Sequence, residues 1–460
     1  MMRIAVIGAG YVGLVTAAGL ARMGHRVTVA EIDADRRALI ASGRAPFFEP
    51  GLDEALAAAL ADGSLSLAET APMAALDAEV SFIAVGTPDR DGRIDLSQVR
   101  HAADGIGASM RMHRRPHTVV VKSTVVPGTT SDVVGPALMR ASGRPREGFG
   151  LAMNPEFLRE GTSLDDFMSP DRIVIGADDA LAEAALQDIY AGFDCLKIVT
   201  GARTAEFIKY MNNALLGTLV SFSNEMAGLA ERIGGVDFGA VISGVHADRR
   251  LTPMEHGAPV PGILSYLKPS AGYGGSCLPK DIAALRAAAS IAGAPTPLLD
   301  AVESVNRARA GAVASLLARR LDLSGARIAL LGAAFKAGTD DLRSAASLRL
   351  AERLIAAGAQ VTVHDPICAE AALRRALPAG TRIVPDIETA LERADAAVLM
   401  IAAPEYRHAD WSRLARLMAR PLLLDVWDVC PLADGPCERL RLGRTDAAAA
   451  PAQDKRHVAS

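Results

Sequence analysis

Ten consecutive residues, Gly272-Tyr273-Gly274-Gly275-Ser276-Cys277-Leu278-Pro279-Lys280-Asp281, set a nucleophile beside a cation and a carboxylate, behind a glycine-rich turn. Cysteine is the strongest neutral-pH nucleophile among side chains, and a nearby cation favours its thiolate. Lysine stands three positions after Cys277 and aspartate four, while the glycines let a ligand approach the backbone closely. The same residues could form a structural turn around an idle buried thiol, the common fate of an isolated cysteine. The rest of the chain has to decide.

A second group is built for a cofactor. Gly8-Ala9-Gly10-Tyr11-Val12-Gly13 follows an apolar run and opens a helical one. Gly8 permits a tight turn, Gly10 lets the backbone reach a pyrophosphate, and Gly13 permits close helix–strand packing. The helix N-terminus adds bare amides and a positive dipole end, so Tyr11 and Val12 lie where a phosphate would bind. Glu31 comes 18 positions after Gly13. A carboxylate there hydrogen-bonds a ribose diol and repels a 2′-phosphate, which favours NAD over NADP; Arg36, able to accept that phosphate, is a counter-signal. A later strand is followed by Gly332-Ala333-Ala334-Phe335-Lys336. One glycine and a point cation suit a phosphate but not a dinucleotide turn.

Elements that position these groups follow from periodicity. Ile4–Ile7, Val27–Glu31, Val80–Val85, Val119–Lys122 and Ile173–Ile175 read as strands alternating with helical stretches, the pattern of a parallel sheet covered by helices. From Thr204 to Ile233 the period is helical for about eight turns of ~3.6 residues. Gly257–Gly262 reads as a loop, and Asp281–Leu321 as a second helical region. A new α/β unit follows, with strands Ile328–Leu331, Val361–His364, Ala397–Ile401 and Leu422–Val426 and a helix over Ser347–Ala357. The fold class is therefore α/β: two Rossmann-like doubly wound domains joined by a central helical domain with a long connecting helix. The boundaries are 1–200 for the NAD-binding domain, 201–318 for the central helical domain, and 319–442 for a C-terminal α/β domain that serves something other than NAD. A tail over 443–460 lacks an apolar period and reads as disordered.

Composition narrows the class. The chain has 460 residues, 50% apolar, with a net charge of −4, so it carries ample core and no basic footprint for nucleic acid. Its five cysteines, Cys195, Cys277, Cys368, Cys430 and Cys437, fit neither a disulfide framework nor a CxxC metal site. No apolar run is long enough to span a bilayer. The expectation is a protein of the reducing cytoplasm, with no metal, membrane or nucleic-acid partner.

Together these residues resemble the UDP-glucose/GDP-mannose 6-dehydrogenase family over residues 1–430. The matching blocks are Gly8–Leu14, Glu49–Leu52, Val85–Pro88, Lys122–Val125, Asn154–Gly161, Ala205–Asn213, Gly272–Asp281 and Phe335–Arg343. The resemblance implies oxidation of a sugar primary alcohol to a carboxylate with two NAD, and a homodimer paired through the central helix. The residue types suit that chemistry. A thiolate at Cys277 can trap the intermediate aldehyde as a thiohemiacetal, whose oxidation gives a thioester for water to hydrolyse. Lys209 and Asn213, four apart on a helix, project from one face and can hold a developing alkoxide or oxyanion.

Further roles rest on the resemblance alone. Glu156 is implied as acid/base with water, Asp281 as part of the proton network around Lys209, and Thr124 as orienting a water beside the cofactor. Glu160, Thr87, Lys280 and Arg343 are implied to touch NAD. Phe157, Leu158, Arg159 and the stretch from Lys268 through Tyr273 to Gly274 would line the sugar and phosphate, and Lys336 would pair with the diphosphate. Arg250 would reach the partner subunit's substrate, although Arg249 competes for that role. Departures bear on the sugar: Ser344-Ala345-Ala346 follows Arg343, Asp425-Val426-Trp427-Asp428 stands where an Asp-x-Arg is usual, and Met254–Ser265 is an insertion. Trp427 either stacks on a base or packs in the core. UDP-glucose is the leading substrate and GDP-mannose the alternative. A two-electron hydroxyacid-type dehydrogenase, or an NAD-sensing scaffold, remains a reading from another class.

Overall fold

A computed structural model describes residues 1–90, 92–248, 254–255, 258–259, 266–430 and 437–443. Arg250, Arg249, most of the Met254–Ser265 insertion and all but the first residue of the 443–460 tail lie outside the described residues. The chain forms two compact units, Met1–Asn213 with Ala283–Pro295, and Ala214–Ile282 with Thr296–Ser460.

The first unit is built on an eight-stranded sheet. In chain order its strands are β1 (Arg3–Ile7), β2 (Arg26–Ala30), β3 (Leu65–Ala68), β4 (Val80–Ile83), β5 (Thr118–Val121), β6 (Gly150–Met153), β7 (Arg172–Ala177) and β8 (Leu196–Thr200). Their spatial order is β8-β7-β6-β5-β4-β1-β2-β3, parallel throughout except where β6 meets β7. Every residue of β4, β5 and β6 is buried. Helices covering both faces of a parallel sheet require that, and it explains why these strands read as unbroken apolar runs. The strand reading passes over β3, β6 and β8. The first is short, β6 opens on glycine, and β8 is an edge strand with Leu196 64% exposed.

In the second unit a six-stranded sheet comprises β9 (Arg327–Leu331), β10 (Gln360–His364), β11 (Arg382–Ile383), β12 (Ala396–Leu399), β13 (Leu422–Asp425) and β14 (Glu438–Arg441). All pairings are parallel, in the order β11-β10-β9-β12-β13-β14. The long helix is continuous over Ala202–Ile233, 32 residues. Near its start the fully buried Glu206 accepts from Gly128 N at 2.5 Å, Thr130 N at 2.7 Å and Thr130 Oγ1 at 2.7 Å, which fixes the loop after β5. Asp281–Leu321 is two helices, Leu278–Ile291 and Pro297–Ala318. Gly293 at φ +70° ends one, and Pro297, whose missing N–H costs nothing in a first turn, opens the other.

Candidate active site

At the carboxyl end of β1 the chain turns through Gly8, at φ +105°, where a Cβ would lie 2.8 Å from Ala84 O. Gly10 is the N-cap of the helix Tyr11–Arg22. A Cβ on Gly13 would lie 1.9 Å from Gly8 O, so only glycine admits this approach of helix to strand. At Gly10 a Cβ would meet nothing within 4 Å, leaving room over the turn for a ligand. Glu31 is buried at the end of β2, with Oε2 accepting from Ala9 N at 3.3 Å and Oε1 from Asp33 N at 2.9 Å. Arg36 is exposed, its Nη1 3.8 Å from Glu31 Oε2. Open space over Gly10, bare helix amides and a carboxylate at the strand end fit NAD. Tyr11 turns its hydroxyl away from the turn's amides, onto the Glu49 carboxylate and to 2.6 Å from Ser163 Oγ. Burial and Glu49 raise the Tyr11 phenol far above its ordinary value, so it stays a donor. Glu49 also accepts from Gly161 N and Ser163 N, both at 2.7 Å, which anchors the loop containing Glu160.

The ends of β4, β5 and β6 carry the next group. Thr87 Oγ1 donates to Thr124 O at 3.1 Å, so these two predicted residues meet. Beyond β6, Glu156 and Lys209 form an ion pair of 2.9 Å, with both side chains 5% exposed. The other Glu156 oxygen accepts from Leu158 N at 2.7 Å. Burial by itself would raise the Glu156 carboxyl. The Lys209 ammonium, the Leu158 N–H and the nearby Lys122 outweigh it and hold the group below the usual range. The Phe157 ring is close to two cations, with Arg172 Cζ 4.0 Å and Lys209 Nζ 5.3 Å from its centroid. Asn213 is buried one turn after Lys209, with its Oδ1 3.4 Å from Asn212 Nδ2. Arg159 is exposed, with its guanidinium on Asp166 at 2.5–3.2 Å and its backbone N–H donating to the same carboxylate at 2.8 Å. Removing one partner of a buried pair such as Glu156–Lys209 strands a charge and costs on the order of 3–5 kcal/mol.

In the second unit the cysteine loop is clamped from both sides. Asn306 Oδ1 accepts from Tyr273 N at 2.8 Å, and its Nδ2 donates to Tyr273 O at 3.1 Å. Arg309 Nε reaches Ser270 O at 3.0 Å, and Ser270 N reaches Asn224 Oδ1 at 2.7 Å. Gly275 N donates to Arg343 O at 2.9 Å. Gly274 faces Ser344 O, 2.5 Å from where a Cβ would stand, and Gly275 faces the Phe335 ring at 3.0 Å. Those contacts leave no room for side chains, which is why the turn is glycine-rich. Cys277 is exposed and its carbonyl accepts from Asp281 N at 2.8 Å, so it caps the helix Leu278–Ile291. A helix N-terminus favours negative charge there. Asp281 is buried and paired with Lys280 at 2.5 Å. Lys268 is exposed, and Lys336 is half-buried with its Nζ 5.7 Å from the Phe335 centroid. The Arg343 guanidinium lies on Asp341 at 2.7–3.0 Å. Trp427 packs against the core, with Nε1–H donating to Met400 O at 2.7 Å.

The sequence gives no role to Asn154, Asn224, Asn306, Arg309 or the buried Lys122, although Lys122 and Asn154 open two of the matching blocks. A polar residue inside an apolar helix, such as Asn306, was the available signal. Among the described residues no cluster of His, Cys, Asp and Glu could hold a metal ion, and no helix is long and apolar enough to cross a membrane.

Three family descriptions match in succession: the UDP-glucose/GDP-mannose dehydrogenase family NAD binding domain over residues 2–194, its central domain over 203–308 and its UDP binding domain over 329–431. The UDP-glucose 6-dehydrogenase AglM of Haloferax volcanii is 39% identical over 423 residues, 90% of this chain and 93% of the relative. A GDP-mannose 6-dehydrogenase of Azotobacter vinelandii is 38% identical over 367 residues, 79% of this chain and 81% of the relative. The structure of a UDP-glucose dehydrogenase from Pyrobaculum islandicum superposes with a TM-score of 0.88 at 38% identity, covering 97% of this chain and 98% of that one. With matched segments in all three parts of the molecule and similarity along nearly its whole length, the chain belongs to the UDP-glucose/GDP-mannose dehydrogenase family.

Proposed function

We propose that the protein oxidises the C6 alcohol of UDP-glucose to the carboxylate of UDP-glucuronate in two steps. NAD, bound over Gly8–Gly13 with its ribose on Glu31, supplies the oxidant for each step, and Thr87, Glu160, Lys280 and Arg343 complete its contacts. Lys209 and Asn213 hold the substrate oxygen as its proton leaves. Cys277 Sγ then adds to the aldehyde carbon, forming a C–S bond. The second oxidation converts that adduct to a thioester. Glu156, kept ionised by its cations, takes a proton from the attacking water, with Thr124 orienting that water and Asp281 in the proton network around Lys209. The C–S bond breaks and the thiolate leaves. Phe157, Leu158, Arg159, Arg250, Lys268, Tyr273, Gly274 and Lys336 bind the sugar and diphosphate.

One observation carries this reading over a simple two-electron dehydrogenase: Cys277 is exposed at a helix N-terminus, at the end of a loop held by buried Asn306 and Arg309. A two-electron reaction has no use for such a thiol. Cys277→Ser should therefore stop net carboxylate formation; a serine variant yielding glucuronate at near wild-type rate would refute the covalent step.

The working form is a homodimer in the cytoplasm. Phe207, Met211, Leu215, Phe222, Leu229 and Ile233 recur at helical spacing on the Ala202–Ile233 helix, each 45–61% exposed. A stripe of that size favours a second copy of the same helix, and sedimentation should give twice the chain mass.

A further inference from the structure

The mechanism gives no part to the buried Lys122. Lys122 follows β5 and is 5% exposed, with Nζ 2.8 Å from Asn154 Oδ1. That oxygen also accepts from the Tyr190 hydroxyl at 2.6 Å, and Asn154 Nδ2 is spent on Val174 O at 2.8 Å. Asn154 Oδ1 is the sole hydrogen-bond acceptor for Lys122 Nζ among the described protein groups, with the Tyr190 ring centroid 5.9 Å away. An ammonium buried with one neutral acceptor is a liability to the fold. Burial pushes it down to about 8, the Glu156 charge opposes that, and Lys209 adds to it.

The titratable groups facing Lys122 come from three elements: Glu156 from the loop after β6, Lys209 from the long helix, and Tyr190 from the end of the Ala180–Ile189 helix. Burial raises the Tyr190 phenol well above its ordinary value, so it contributes no charge. Two lysines and one carboxylate leave the cluster with an excess positive charge. If Lys209 turns its ammonium to a substrate oxygen, Glu156 loses its 2.9 Å partner inside a buried site. Desolvation would then protonate it and remove the base.

We propose that Lys122 is a positioning residue whose buried charge, tethered through Asn154, keeps Glu156 ionised while Lys209 engages the substrate. The proposal rests on the functional reading above for the roles of Glu156 and Lys209. Lys122 touches neither substrate nor cofactor in this account; it acts through Glu156.

The direct test is the titration of the Glu156 side-chain carboxyl by 13C NMR, assigned by its loss in Glu156→Gln. Because Lys209 holds Glu156 ionised in the free protein, the midpoint is compared in the Lys209→Ala background, where adding Lys122→Met should raise it by a unit or more. In the Lys122→Met single variant the acid limb of kcat should move to higher pH, and the KM for NAD should hold within twofold. Lys122→Arg should restore both. A Glu156 midpoint that Lys122→Met leaves unmoved in the folded Lys209→Ala background overturns the proposal. Should Lys122→Met fail to fold, Lys209→Ala decides. There Lys122 is the remaining cation, so Glu156 should still be ionised at pH 6, and a protonated Glu156 overturns the proposal. Neither titration depends on turnover, so this inference can fail while the oxidation chemistry stands.

Stability gives a second readout. A lysine whose folded pKa lies below its unfolded value binds fewer protons folded than unfolded, so its burden is full below pH 8 and relieved as pH rises toward ~10.4. Lys122→Met should therefore melt higher than wild type at pH 7, with the gap closing by pH 10. A variant that melts lower at both pH values would make Lys122 a structural residue.

Discussion

The two parallel sheets leave their first strands in the same way and then diverge. Gly8 and Gly332 have φ of +105° and +102°. Each donates its N–H to the carbonyl of the last residue of the neighbouring strand, Gly8 to Ala30 O at 2.9 Å and Gly332 to His364 O at 2.8 Å. An acid follows in both, Glu31 and Asp365. The Glu31 carboxylate takes one turn amide, Ala9 N, at a long 3.3 Å. Asp365 takes two, Ala333 N at 2.7 Å and Ala334 N at 3.1 Å, and its other oxygen takes Ile367 N and Cys368 N at 3.0 and 2.9 Å. A helix opens at Tyr11 directly after the first turn, but only at Ala346 after the second. Strand, glycine and acid are thus common to both turns. Whether the turn amides stay open to a dinucleotide depends on how closely the acid packs and how soon the helix begins.

Gly13→Val should have the largest effect, because its Cβ would sit 1.9 Å from Gly8 O. We expect NAD binding to vanish from calorimetry together with a stability loss of about 3 kcal/mol or more, in the range of severe packing defects. Normal NAD affinity in this variant would mean the turn does not hold the cofactor.

The two acids should separate cleanly. Asp365→Ala leaves four amides without their acceptor and should cost stability on the order of 2–4 kcal/mol in denaturant melts while sparing NAD affinity in the folded fraction. Glu31→Ala should do the reverse: a small change in melting, NAD weakened by roughly 1.5–3 kcal/mol, and a narrower preference over NADP. If Asp365→Ala impaired NAD while Glu31→Ala did not, the assignment of the two turns would be inverted.

How much of this was written in the sequence depends on distance along the chain. The Gly8–Gly13 turn and its acid are legible because a turn's steric demands fall on consecutive residues, and the Cys277 loop for the same reason. Asp365 gave no signal, since a lone acid after a strand looks like a surface residue until its four amides are seen. Lys122, Asn154 and Tyr190 come together over 32 and 36 positions, a pairing set by strand order rather than by any local pattern. The reading of Asp281–Leu321 as one helical region runs across the break between Ile291 and Pro297, although Gly293 and Pro297 are the residue types that end and open helices.

Lys336→Ala is the mildest change and sharpens the comparison at the second turn. The amides of that turn are held by Asp365, and the half-buried Lys336 beside them is the residue we propose for the diphosphate. Calorimetry should show UDP-glucose weakened about tenfold, the loss of one charged contact, with NAD affinity unchanged. NAD weakened in its place would reverse the division of labour between the domains.

The account's central claim is a four-electron oxidation through Cys277, and stoichiometry tests it most directly. With UDP-glucose limiting and NAD in excess, NADH formed per UDP-glucose consumed should be two, with UDP-glucuronate as the product and GDP-mannose turned over more slowly. A ratio of one, with the aldehyde or another two-electron product accumulating, would contradict it.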